Sequence, residues 1–74
     1  MRIAAAQIVS GTEPQRNLEL VEAAASRAAG DGARLVVLPE ATMCAFGVPL
    51  GPGAEPLDGP WASAVREIAR SAGI

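Results

Sequence analysis

Two apolar stretches have the length and composition of buried β-strands. Residues 3–9 are apolar at every position except Gln7, and residues 35–38 read Leu-Val-Val-Leu before a proline. Runs that are apolar on both alternating faces are typical of strands in a helix-covered parallel sheet. Because the residue before a proline is driven towards extended backbone, Leu38 continues the second strand and does not turn helical.

The rest of the regular pattern predicts two helices, because apolar residues recur there every three to four positions. The first is expected from about Pro14 to Ala29, and the second from Pro60 or Trp61 to a stop at Gly73. Proline is well suited to the first turn of a helix, where its missing N–H is not needed. The buried stripe of the first helix is predicted to be Leu18, Val21, Ala25 and Ala28. The apolar face of the second is predicted to be Trp61, Val65, Ile68, Ala69 and Ala72.

The order of these elements predicts a βαβα arrangement in the α/β class. Gly30 is expected to take the left-handed conformation that ends the first helix, so that strand two begins at Ala33 or Arg34. Two strands joined by one helix are expected to be parallel neighbours. Residues 42–60 are rich in glycine and proline and are expected to form a long loop.

Charge and composition narrow the classes of partner. The six basic residues are all arginines, spread singly along the chain, and the net charge is −2. This distribution argues against a nucleic-acid partner, and neither a signal peptide nor a membrane span is apparent. The single cysteine favours a reducing, intracellular setting, so a cytoplasmic protein is expected. A single cysteine and no histidine rule out an internal disulfide and the usual zinc spacings. No metal or cofactor is expected.

Glu40 is the candidate catalytic residue, because it follows the second strand at the edge where open α/β sheets bind ligands. The simpler interpretation is a solvated acid. Cys44 is expected to be a small buried hydrophobe, since no partner base or oxyanion donor is specified for it as a nucleophile. Phe46 is expected either to line an apolar substrate pocket or to pack in the core, and Trp61 to anchor its helix to the sheet.

Three segments together resemble the amino-terminal part of the carbon–nitrogen hydrolase (nitrilase) superfamily. They are residues 2–7 (Arg-Ile-Ala-Ala-Ala-Gln), Asn17-Leu18, and residues 32–40 (Gly-Ala-Arg-Leu-Val-Val-Leu-Pro-Glu). The resemblance implies an αββα sandwich, of which residues 1–74 would be the βαβα amino-terminal portion and a partial domain. It also implies a glutamate-lysine-cysteine catalytic set, in which Glu40 is the general base.

The implied activity is that of an amidase or nitrilase-type enzyme acting on a non-peptide C–N bond. The parent protein would cleave a small carboxylic amide through a cysteine thioester and is expected to form a homo-oligomer. This chain has no lysine and no cysteine at a matching position. Residues 1–74 alone are therefore expected to be inactive, and to be partly unfolded or aggregated.

Two other classes of function remain open. One is a non-catalytic α/β binding module of the flavodoxin-like or receiver type, which also begins with βαβα units. A receiver-type domain favours clustered aspartates at strand ends, whereas this chain offers a single glutamate there. The other is a truncated remnant without activity of its own.

Overall fold

The computed structural model describes all residues from 1 to 74, and its elements alternate between strand and helix. Strand β1 is Ile3–Ala5, helix α1 is Pro14–Gly30, strand β2 is Leu35–Val37, and helix α2 is Pro60–Ala72. A single turn of 3-10 helix at Gly51–Gly53 interrupts the long loop before α2. The predicted α/β class and the order of its elements are confirmed.

The two strands form a parallel sheet in which Ala4 lies opposite Val36. Both strands are shorter than predicted. A further bond, 2.9 Å long, joins the N–H of Ala6 to the carbonyl of Val37, after which pairing stops. Pairing fails beyond this point because Pro39 cannot donate a hydrogen bond and the chain then turns.

Helices cover only one face of the sheet. Ala4 and Val36 are half-buried on the covered face, while Ile3, Leu35 and Val37 on the other face are 54%, 46% and 52% exposed. The expectation that both faces of the strands are buried is therefore wrong for residues 1–74. Its physical reason is that α1 packs on β2 and α2 packs on α1, so both helices belong to the same side.

Helix α1 supplies most of the buried core. Val21, Ala25 and Ala28 are buried as predicted, whereas Leu18 is half-buried. The helix runs through Gly30, and Gly32 takes the left-handed conformation, with φ of 83°. The prediction for Gly30 is therefore wrong by two residues.

Helix α2 packs against α1 through the predicted apolar face, whose five residues are all half-buried. The indole Nε1–H of Trp61 donates to the carbonyl of Pro14 at 2.9 Å. Trp61 thus anchors α2 to the first residue of α1, and not to the sheet as expected. Gly73 ends the helix in the left-handed conformation, as predicted.

On its exposed side, α2 carries an ion pair between Glu67 and Arg70, 2.5 Å apart. The hydrogen bond from Arg70 holds the pKa of the Glu67 carboxyl below its usual range. Neither helix has the length and apolar composition needed to cross a membrane.

Candidate active site

Glu40 lies just beyond the carboxyl ends of the two parallel strands, at the edge predicted from the sequence. Its side chain is exposed. The two ion pairs of the chain involve Glu13 and Glu67, and no side-chain hydrogen bond reaches the Glu40 carboxylate. The carboxylate is therefore available to accept a proton, or to accept a hydrogen bond from a substrate.

The backbone on either side of Glu40 is fixed in a tight turn. The hydroxyl of Thr42 donates to the carbonyl of Pro39 at 2.5 Å, which closes the turn around Glu40. Ala41 has φ of 60° and is the only non-glycine residue with positive φ. The hydroxyl of Ser10 donates to the carbonyl of Ala41 at 2.7 Å. The direction of the chain at Glu40 is thus set by contacts on both sides.

Asn17 is the most deeply buried side chain of the protein, with 1% of its surface exposed. Its Oδ1 accepts the N–H of Gly11 at 2.9 Å, and its Nδ2 donates to the carbonyl of Gly11 at 2.9 Å. The same Nδ2 donates to the carbonyl of Met43 at 2.8 Å. A backbone bond from the N–H of Ala45 to Gly11, 2.8 Å long, lies alongside.

Together, these contacts join the loop after β1 to the loop after β2. We call the side chains of Ser10 and Asn17, with Gly11 between them, the polar clamp. Asn17 belongs to one of the segments that carry the family resemblance, but no role was predicted for it. The available signal was its spacing, because Asn17 precedes Val21 by four residues and so lies on the apolar stripe of α1. A polar side chain buried on such a stripe is expected to have hydrogen-bond partners.

Cys44 lies on the same loop and is half-buried. Its Sγ is 3.6 Å from the carbonyl oxygens of Thr12 and Ala45. Both contacts are to backbone oxygens, so the structure supplies neither a base nor a cation to activate this thiol.

The loop after Glu40 also encloses a cavity of about 550 Å³ against the start of α1. Phe46 is 71% exposed, so it does not pack in the core of residues 1–74, and it does not line this cavity. The lining includes Ala41, Met43, Val48 and Leu50.

Comparison with known proteins agrees with the resemblance carried by the strands. Residues 2–74 match the carbon-nitrogen hydrolase family. Two curated proteins from two strains of Mycobacterium tuberculosis, named Hydrolase MT0498 and Hydrolase Rv0480c, are each 65% identical to the chain over 74 residues. The match covers 100% of this chain and 26% of each relative, so the chain spans about a quarter of their length. No solved structure matches. With nearly every residue inside the family match, the chain belongs to the carbon–nitrogen hydrolase family.

Proposed function

We propose that the full-length protein hydrolyses a small carboxylic amide through a cysteine thioester, with Glu40 as the general base. The observation that carries this proposal is the placement of Glu40. Its unpaired carboxylate lies at the carboxyl edge of a parallel sheet, on a turn fixed from both sides. Family membership supports hydrolysis of a carbon–nitrogen bond.

The proposed chemistry requires three groups. The carboxylate of Glu40 accepts the proton of a thiol, and the resulting thiolate attacks the amide carbon to form a tetrahedral intermediate. The protonated Glu40 then gives its proton to the departing ammonia as the C–N bond breaks, leaving a thioester. Finally, Glu40 accepts a proton from water as the hydroxide adds to the thioester carbon. The C–S bond of the second tetrahedral intermediate then breaks, Glu40 returns the proton to the sulfur, and the carboxylic acid and the free thiol are released.

A cation is needed to stabilise the negative oxygen of both tetrahedral intermediates. The chain contains no lysine, and Cys44 contacts only backbone oxygens. In this proposal, the thiol and the cation come from the part of the parent protein that residues 1–74 do not span.

The proposal predicts that Glu40→Gln lowers kcat of the full-length protein by about 10²- to 10⁴-fold, because glutamine keeps the shape but cannot accept the proton. The measurement is release of ammonia from a panel of small aliphatic and aromatic amides. Glu22→Gln is the matched control, since Glu22 is an exposed glutamate on α1. It should leave kcat unchanged.

Three results would argue against this assignment. Full activity in folded Glu40→Gln protein would make Glu40 a structural residue. Loss of activity in Cys44→Ser would identify Cys44, in the loop after β2, as the nucleophile. The proposal expects this variant to stay active. Absence of ammonia release from every amide, with retained binding of a small molecule, would favour a non-catalytic binding module.

A further inference from the structure

We propose that Ser10 and Asn17 are positioning residues for Glu40, so that the polar clamp sets the direction of the catalytic carboxylate. This inference rests on the proposed function, because it assumes that Glu40 is the base. It is carried by an independent observation, namely the hydrogen bonds that the clamp makes to the loop after β2. Ser10 holds the carbonyl of Ala41, and Asn17 holds the carbonyl of Met43.

Every polar side-chain atom of Asn17 has a hydrogen-bond partner. Both hydrogens of Nδ2 are used, one for Gly11 and one for Met43, and Oδ1 accepts the N–H of Gly11. No buried side-chain nitrogen or oxygen of the chain lacks a partner. Such a fully satisfied and buried amide defines one relative placement of the two loops, because any shift would leave polar groups without partners.

Ala41, which follows Glu40 directly, has a left-handed backbone with φ of 60°. A left-handed backbone is unfavourable for a residue with a Cβ, by about 1–2 kcal/mol. Alanine in this conformation is retained only where surrounding contacts hold it. The bond from Ser10 to the carbonyl of Ala41 is such a contact, and it acts next to the peptide that orients Glu40.

The contacts of Asn17 and Ser10 together fix the backbone that carries Glu40. Without the hydroxyl of Ser10, Ala41 can relax to negative φ, and the backbone that carries Glu40 rotates with it. A displacement of about 1 Å in a catalytic group can lower the rate about 100-fold. The clamp is therefore expected to affect the reaction through Glu40, beyond any contribution to folding.

The test compares Ser10→Ala, Ser10→Thr and Thr12→Val in the full-length protein. Ser10→Ala removes the hydroxyl, and Ser10→Thr keeps it. Thr12→Val is the matched control, because it removes a hydroxyl from the same loop that makes no hydrogen bond. We expect Ser10→Ala to lower kcat by about 10- to 100-fold, with Ser10→Thr and Thr12→Val within about threefold of wild type.

Coupling to Glu40 separates positioning from a merely structural role. Ser10→Ala combined with Glu40→Gln should be no slower than Glu40→Gln alone, because a base that is already absent cannot be displaced. The acidic limb of the pH profile of kcat/KM reports ionisation of the base. This limb should shift in Ser10→Ala and return to the wild-type position in Ser10→Thr.

The outcomes separate the inference from the proposed function. Full activity of Glu40→Gln overturns the proposed function, and the inference falls with it. If Glu40→Gln is impaired, the inference alone is overturned by any one of three results: unchanged kcat in Ser10→Ala, losses that multiply in the double variant, or an unmoved acidic limb. Asn17→Asp gives a second check, because it keeps the acceptor for the N–H of Gly11 and loses the donor to the carbonyls of Gly11 and Met43. Its kcat should fall as that of Ser10→Ala does.

Discussion

At the scale of single residues, Gly59 shows how the start of α2 depends on the absence of a side chain. A Cβ at this position would lie 2.9 Å from the carbonyl oxygen of Pro56 and 3.0 Å from the Cβ of Glu55. Both neighbours are held in place, because the N–H of Gly59 donates to Pro56 and the carboxylate of Glu55 accepts the N–H of Trp61 at 2.8 Å. Glu55 thereby satisfies one of the free N–H groups at the start of α2.

Gly59→Ala is therefore expected to lower the free energy of unfolding by about 1–3 kcal/mol, the usual cost of overpacking. Gly53→Ala is the matched control, since no atom lies within 4 Å of its added Cβ. It should change stability by no more than about 0.5 kcal/mol. The measurement is denaturant unfolding of the full-length protein. Equal stability of the two variants would contradict the close packing around Gly59.

The placement of some residues can be predicted from the sequence and that of others cannot. The difference depends on how far apart in the chain the contacting residues are. The position of Glu40 just beyond β2 was predictable because a strand, a proline and an acid are adjacent in the chain. The clamp was not, because its hydrogen bonds join residues far apart, 31 positions for Ser10 and Ala41 and 26 for Asn17 and Met43. Local patterns carry no information about which distant carbonyl a side chain meets.

At the scale of elements, the end of α1 shows why the position of a boundary is harder to predict than its existence. Two glycines flank Asp31, and either can follow a helix. The backbone N–H of Asp31 bonds to the last turn, and Gly32 bonds to Ala29, so the helix closes one step later than expected. The left-handed φ falls on Gly32 because the chain must reverse there before Ala33 enters the core.

This geometry predicts opposite effects for alanine at the two glycines. Gly30 is helical with no atom within 4 Å of an added Cβ, so Gly30→Ala should raise stability by about 0.5–1 kcal/mol. Gly32→Ala should lower it by about 1–2 kcal/mol, since φ is 83° there. Unfolding of the full-length protein measures both. If Gly30→Ala is instead the costly change, the cap lies where the sequence pattern placed it.

At the scale of the whole molecule, the uncovered face of the sheet is its most prominent feature. Ile3, Leu35 and Val37 lie on this face and are all exposed. Burial of both faces was predicted because apolar residues occupy successive positions along both strands. That pattern indicates that a strand needs cover on both sides, but it does not show which parts of the polypeptide supply the cover.

The 74-residue chain alone is therefore expected to self-associate and to lack a cooperative unfolding transition of a monomer. Exposed apolar faces of this kind, on a sheet with unpaired edges, promote association. Sedimentation and thermal unfolding measure these properties. Val37→Thr, which removes apolar surface at constant shape, should reduce association more than Val48→Thr in the loop. A monomer with a sharp transition would contradict the prediction.

The hydrogen bonds at and around the polar clamp also determine where the chain can tolerate inserted residues. The N–H of Ala33 bonds to Ala28 at one end, and that of Ala45 bonds to Gly11 at the other, so the residues between them are tied at both ends. Because side chains along a strand alternate in direction, one residue inserted into β2 would shift its register and displace the turn that carries Glu40. From Phe46 to Ala54 the only backbone bonds outside regular elements are local. Insertions in that loop can change what the cavity admits while Glu40 keeps its place.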